Sequence, residues 1–329
     1  MRAGIFGYGL AGRVFHAPLL KHSGFEVVAI QTSNPERISQ AQADFPGAVI
    51  CSSAEELLAQ NLDLAVVASI NTAHEVNAKA AIDAGIAVVV DKPMAANLSG
   101  TRELFNYAES KNVPITVYFN RLWDSDTLTI KALLNSKDNP IGTPHRFDGR
   151  FERFRPDLAA QSWREQLRSQ HGGGLLLDLQ SHLISTAIDC FGPAKLKYAN
   201  VKSIRGASDD DVLLVLEHES GVVSSLAASA ISGAPGPRVR LLGSKGALVI
   251  NDLDPQEALL RSGNYVNGEK RSKVELHRGE EVKELTAIEG DYSAFYKKMH
   301  QFLIGDGQLP VSKSLVLQVA EIIDQARIF

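Results

Sequence analysis

The tightest constraint on the fold is a glycine turn. Gly7-Tyr-Gly-Leu-Ala-Gly12 comes straight off an apolar run at residues 3–6 and leads into a helical pattern at 14–21. Glycines gather in many turns, so GxGxxG alone is weak; a strand before it and a helix after it supply the missing context. The first glycine permits the tight turn, the second leaves bare backbone beside a pyrophosphate, and the third lets helix and strand pack closely. The helix N-terminus then faces the negative charge. Gly7, Tyr8, Gly9, Leu10, Ala11 and Gly12 are read as a dinucleotide-binding loop, the alternative being an ordinary βα turn.

The next hundred residues keep the same grammar. Apolar or β-branched runs at 25–30, 64–68, 86–90 and 115–119 alternate with helical patterns at 35–45, 55–59, 72–84 and 99–111. Strands lacking polar alternation are expected where helices cover both faces of a parallel sheet. Ser53 followed by Glu56 reads as a capping box. Residues 1–119 are expected to form a doubly wound α/β domain of the Rossmann type.

After residue 120 the pattern changes. Helices are expected at 126–135 and 175–191, and extended runs at 145–153 and 197–204. Hairpins follow at 212–218/222–228, around Glu219-Ser-Gly, and at 238–242/247–250, around Gly243-Ser-Lys-Gly246. The polar, aperiodic stretch 251–273 reads as a surface excursion, and helices at 291–304 and 314–327 close the chain. Residues 120–329 are thus expected to be an α+β domain with a large, mostly antiparallel, open-faced sheet. Its last helix is expected to pack back on the first domain. Two domains also suit 329 residues at roughly 150 per domain.

Composition narrows the partners. Lys plus Arg is 34 against 38 Asp plus Glu, a formal net charge of −4, which gives no bulk field for nucleic acid or an anionic membrane. Cys51 and Cys190 have no metal or redox spacing, and no HExxH pattern supports zinc, so no metal is expected. The longest apolar stretches, 64–70 and 86–90, fall short of the roughly 20 residues that span a bilayer. The chain enters a strand at once, leaving no room for a signal peptide. A cytoplasmic location is expected.

The second strand bears on which dinucleotide binds. An NAD site usually places Asp or Glu about 20 residues past the loop, on the ribose hydroxyls. Here Thr32 and Ser33 occupy that position, and no carboxylate precedes Glu36. Hydroxyls with a guanidinium suit a 2′-phosphate, and Arg37, or alternatively Arg13, supplies the charge. NADP is expected over NAD, against the alternative that Arg37 only decorates a solvated helix face.

Asp91-Lys-Pro93 leaves the strand 86–90 at its carboxyl end, where open α/β sheets bind ligands. Lys92 there can stabilise negative charge developing on a substrate oxygen, with Asp91 orienting it; the plain alternative is a charged turn. Further on, His171-Gly-Gly-Gly174 leads into an apolar segment carrying Asp178 and His182. Four apart, they share one face of a helix. Burying both is costly unless they line a cleft, and a histidine suits proton transfer near neutral pH. A helix cap beside a satisfied histidine is the alternative.

With these residues in view, the chain resembles the glucose–fructose oxidoreductase/inositol dehydrogenase (Gfo/Idh/MocA) family. The resemblance runs through GYGLAGRVFHAPLL (7–20), SINTAHEVNAKAAIDAGIAVVVDKP (69–93), VYFNRLWDSDTLTIKALL (117–134) and GGGLLLDLQSHLISTAIDCFG (172–192). FHAP and NRLWD look most like its NADP-dependent scyllo-inositol dehydrogenase subgroup. The resemblance implies a Rossmann domain and an open-sheet domain, joined as homodimers or homotetramers through the sheet. The family's EKP lysine falls on Lys92, with Asp91 in place of Glu. Its DxGxHxxD motif falls on Asp178, Gln180, His182 and Ser185, so Asp and His are kept while Gln and Ser are departures. Ser69, Asn71, His74, Asp91 and Lys92 are implied as cofactor contacts. Asn120, Arg121 and Trp123, after the last strand of the first domain, are expected to face the substrate, with Arg153 and Trp163 added by the subgroup resemblance.

The function expected is an NADP(H)-dependent oxidoreductase acting on a secondary alcohol of a cyclic polyol or sugar, with Lys92, Asp178 and His182 as catalytic residues. Two rivals stand beside it. One is a reductase of another sugar-derived or small carbonyl compound. The other is a non-catalytic NADP(H)-binding regulator, which predicts loss of the lysine or the Asp–His pair.

Overall fold

A computed structural model describes residues 1–158, 165, 167 and 172–329. Those residues gather into two compact units: Met1–Asn120 with Leu260–Asn264 and Tyr292–Val316, and Arg121–Leu259 with Tyr265–Asp291 and Leu317–Phe329.

The first unit is a parallel sheet of β1 (Arg2–Phe6), β2 (Glu26–Gln31), β3 (Val49–Cys51), β4 (Leu64–Val67), β5 (Ala87–Asp91) and β6 (Ile115–Tyr118). Its order is β3-β2-β1-β4-β5-β6, the doubly wound arrangement with its reversal between β1 and β4. Ala3, Ile5, Phe6 and all four residues of β4 are fully buried, as expected when helices cover both faces. The helices are α1 (Ala17–Lys21), entered through a π-helical turn (Ala11–His16), α2 (Pro35–Asp44), α3 (Ala54–Leu58), α4 (His74–Asp83) and α5 (Leu98–Ser110). Their starts are written in side chains: Asn34, Ser53 and Asn97 accept the N–H of Arg37, Glu56 and Gly100. At Ser53 the returning Glu56 carboxylate also accepts the Ser52 N–H, at 2.7 Å.

The second unit begins with α6 (Ser125–Leu134), β7 (Pro144–Glu152), α7 (Leu175–Asp178) and α8 (Gln180–Phe191). It continues with β8 (Ala194–Lys202), β9 (Asp211–His218), β10 (Val223–Ser229), β11 (Val239–Gly243) and β12 (Gly246–Ile250). Then come α9 (Gln256–Arg261), β13 (Val274–Arg278) and β14 (Glu281–Leu285). The eight strands run β14-β13-β12-β11-β7-β10-β9-β8, antiparallel except for β10 beside β7. β9 alternates: Val212, Leu214, Leu216 and His218 are buried, while Leu213 is exposed. α8, buried except at Asp189 and Cys190, packs on β7, β9 and β10.

Three expectations change. The stretch 251–273 is largely exposed, as expected of a surface excursion, but it is not without structure. It holds α9, and Asp254 accepts the Ser125 N–H at 2.7 Å while Gln256 Nε2 donates to the Trp123 carbonyl at 3.0 Å. A few polar residues there, Asp254, Gln256 and Ser272, are buried, while most of the others face water. Second, the stretch that joins the first unit is Tyr292–Val316, carrying α10 (Ser293–Leu303) and only the first turn of α11 (Lys313–Ile328). Phe295 sits edge-on to Tyr118, and Thr116 Oγ1 donates to the Val311 carbonyl at 3.0 Å. Third, the helix read as continuous over 175–191 is interrupted at Leu179.

Candidate functional site

In the first unit the glycine loop is built as its spacing requires. Gly7 has φ +92°, and its N–H donates to the Gln31 carbonyl at 2.9 Å, tying the turn to β2. A side chain at Gly12 would strike the Gly7 carbonyl. At Gly9 the three atoms nearest a built Cβ all belong to the Arg37 guanidinium, 3.6–3.8 Å away. The first-turn amides of the following helix have no intrahelical acceptor. Bare backbone, helix N-terminus and guanidinium therefore meet at one place, which fits the phosphates of a dinucleotide.

The cations sort themselves clearly. Arg13 is spent on Asp44, Nε to Oδ2 at 2.7 Å, which corrects its candidacy as a phosphate ligand. Tyr8 is buried with its hydroxyl donating to the same carboxylate at 3.0 Å. Burial, then Asp44, raises that phenol, so Tyr8 offers the loop its backbone alone. Arg37 differs: its backbone N–H bonds Asn34, and its guanidinium has no hydrogen bond or ion pair among the described residues. Thr32 is buried and Ser33 exposed at the end of β2, with no carboxylate between them and Glu36.

At the end of β4, Ser69 Oγ accepts from Asn77 at 3.1 Å, and Asn71 opens the turn before α4. His74 is fully enclosed, its ring nitrogens 2.8 Å from the Pro93 carbonyl and 3.2 Å from the Ser69 carbonyl. Burial pushes its pKa down, favouring a neutral ring. A neutral ring can donate to only one of these two carbonyls, and either bond holds His74 against the ends of β4 and β5.

Asp91 ends β5, and Lys92 follows with a cis peptide to Pro93. Asp91 Oδ1 accepts the Lys92 N–H at 2.8 Å. Burial pushes this carboxyl up, but His16, then Lys92 and His74, outweigh it and hold it at about 2. In the unfolded chain it titrates near 3.9 (an approximate reference value), so between about pH 4 and 2 the folded state binds fewer protons. That stability is present above the window and is lost as pH falls through it, by about 2–3 kcal/mol. Asp91→Asn should flatten the acid limb of a plot of urea midpoint against pH. A limb as steep as that of the wild type contradicts the assignment.

The second unit carries the Asp–His pair. Gly174 has φ +83°, and a side chain there would strike the Asp209 carboxylate, which accepts the Leu176 N–H at 2.6 Å. Asp209 thus caps α7 from a distant loop. Asp178 ends α7, and His182 stands in the first turn of α8, its N–H on the Leu179 carbonyl at 3.2 Å. Gln180, a departure from the family motif, donates through Nε2 to the carbonyls of Val212 (3.2 Å) and Leu226 (2.9 Å), pinning α8 to β9 and β10. Ser185 Oγ closes onto the His182 carbonyl.

Phe151 on β7 gathers the neighbours of His182: the rings lie 6.2 Å apart, with Arg238 3.8 Å and Arg121 5.5 Å from the Phe151 ring centre. Arg153, one residue beyond β7, keeps a buried Nε without a hydrogen-bond partner among the described residues. Burial, then Arg155, lowers its pKa while Asp178 opposes the shift. Asn120, Arg121 and Trp123 are all buried, and Arg121 is paired with Glu257 at 2.8 Å and Asp124 at 3.4 Å. Those partners limit what Arg121 offers a substrate. Trp163 and His171 lie outside the described residues. Sequence reasoning missed Phe151, Asp209 and Tyr296, which carry no local signal, and passed over His16, which the FHAP match contained.

Residues 1–119 match the model of an oxidoreductase family with an NAD-binding Rossmann fold, and residues 136–327 match that family's C-terminal alpha/beta domain. The oxidoreductase YdgJ of Escherichia coli (strain K12) is 35% identical over 98% of this chain and 94% of its own. The scyllo-inositol 2-dehydrogenase (NADP(+)) IolW of Bacillus subtilis (strain 168) is 31% identical over 99% of this chain and 92% of its own. Among solved structures, the oxidoreductase yvaA from Bacillus subtilis shares a TM-score of 0.88 at 30% identity, covering 99% of this chain and 95% of that one.

Proposed function

The chain belongs to the Gfo/Idh/MocA oxidoreductase family, and from that premise we propose that it interconverts a secondary alcohol and a ketone on a cyclic polyol or sugar, using NADP(H). The observation that carries the choice of cofactor is the Arg37 guanidinium beside Gly9, with no carboxylate at the end of β2. The NADP(+)-dependent relative IolW supports the same choice and the polyol class.

When bound, the nicotinamide takes or gives the hydride; the protein supplies position and charge. The glycine loop and Arg37 hold the phosphates. The Lys92 ammonium stabilises negative charge on the carbinol oxygen as its proton leaves. His182 accepts that proton, with Asp178 favouring the charged ring. Arg153, with its unpartnered Nε, is a hydrogen-bond donor to a substrate oxygen, and Asn120, Arg121 and Trp123 shape the polyol contacts. The exposed strand faces carrying Tyr198, Leu213 and Val223 suit a homodimer or homotetramer through the second sheet.

A panel of cyclic polyols and sugars, with NADP+ reduction followed at 340 nm, tests the reading (a standard wavelength, about the NADPH maximum). Absorbance should rise with cyclic polyols. Activity confined to small carbonyl compounds with NADPH would favour the reductase alternative.

A further inference from the structure

His16 lies in the helix after the glycine loop, fully buried, and takes no part in the function above. Its Nδ1 is 2.6 Å from the hydroxyl of Tyr296 on α10, itself fully buried. Its Nε2 points at Asp91 Oδ1 from 3.9 Å, an ion-pair distance longer than a hydrogen bond. That nitrogen has no hydrogen-bond partner among the described residues. Asp91 Oδ1 in turn accepts the Lys92 backbone N–H. Hydroxyl, imidazole, carboxylate and amide follow one another in a line that ends at Lys92, all within the first unit.

The chemistry sets the direction of this line. Burial, then the charge of Asp91, raises the Tyr296 phenol well above its ordinary value, so it stays protonated and can donate. With the phenol donating, His16 Nδ1 accepts, which leaves the ring N–H on Nε2, facing the carboxylate. A buried nitrogen without a hydrogen bond is rare and costly. A fixed negative charge opposite its N–H accounts for this one.

We infer that His16 and Tyr296 are positioning residues for Lys92, holding the Asp91 carboxylate in the orientation that fixes the backbone at the end of β5. The inference rests on the role given to Lys92 above, and its test is separable from that role. His16→Phe keeps the ring and removes both nitrogens; His16→Gln restores an N–H donor near the place of Nε2.

In folded His16→Phe, exchange of the Lys92 amide read by NMR without cofactor should quicken about tenfold or more, and kcat should fall about 10–100-fold, while the Kd for NADPH stays within about threefold. His16→Gln should recover most of both. In 15N spectra of the wild type, His16 should carry its proton on Nε2, and Tyr296→Phe should move it toward Nδ1. The double variant should lose no more kcat than His16→Phe. Wild-type exchange and kcat in His16→Phe, or additive losses in the double variant, overturn the inference. Should His16→Phe fail to fold, His16→Gln against Tyr296→Phe carries the same comparison. If the wild type turns over no substrate, the functional reading fails, and the exchange and 15N readouts still decide the positioning.

Discussion

Lys92→Met should lower kcat by about 10²–10⁴-fold while leaving NADPH binding unchanged by fluorescence titration. That is about 3–5 kcal/mol of barrier, the size expected when a fixed cation opposite a developing alkoxide is removed. Methionine keeps the length and apolar stem of the side chain, so a loss of turnover reports the charge rather than a cavity. The backbone contact from Lys92 N–H to Asp91 is retained in the variant, because only the side chain changes. A fall in kcat/KM that lies entirely in KM would make Lys92 a binding group and not a catalytic one. Unchanged turnover contradicts its role.

Arg37→Ala should raise the KM for NADPH about 10–100-fold, the range of one lost charge-assisted contact, and leave the KM for NADH within about threefold. The asymmetry follows from the structure. The guanidinium lies over Gly9 and has no partner among the described residues to replace a phosphate, whereas Arg13 cannot substitute without giving up Asp44. Adding Ser33→Asp places a carboxylate where an NAD site keeps one and should bring the two cofactors level. Equal losses with NADPH and NADH would show that Arg37 holds the shared pyrophosphate and does not read the 2′-phosphate.

What the sequence revealed follows the range over which its signals act. Gly7 to Gly12, the apolar β4 and the Ser53 cap are local, and each forms as its pattern requires. The three-residue β3 is too short to show a period, and β13 and β14 carry mixed polar faces at the edge of their sheet. The interruption at Leu179 leaves Asp178 and His182 on successive helices despite their four-residue spacing. Distance in sequence hides the rest. Tyr296 meets His16 across 280 residues, and Asp209 caps α7 from 33 residues away. A hydrophobic period cannot show such pairings, because it reports which side of an element is buried and not what covers it.

Incubating the protein with NADP+ and a ring-deuterated cyclic polyol, then weighing the reduced cofactor by mass spectrometry, tests the central claim of hydride transfer most directly. The account predicts NADPH heavier by one deuterium, formed by the wild type and lost with Lys92→Met. Tight NADPH binding with no deuterium transfer from any polyol or sugar would contradict it and favour a protein that binds the dinucleotide without turning it over.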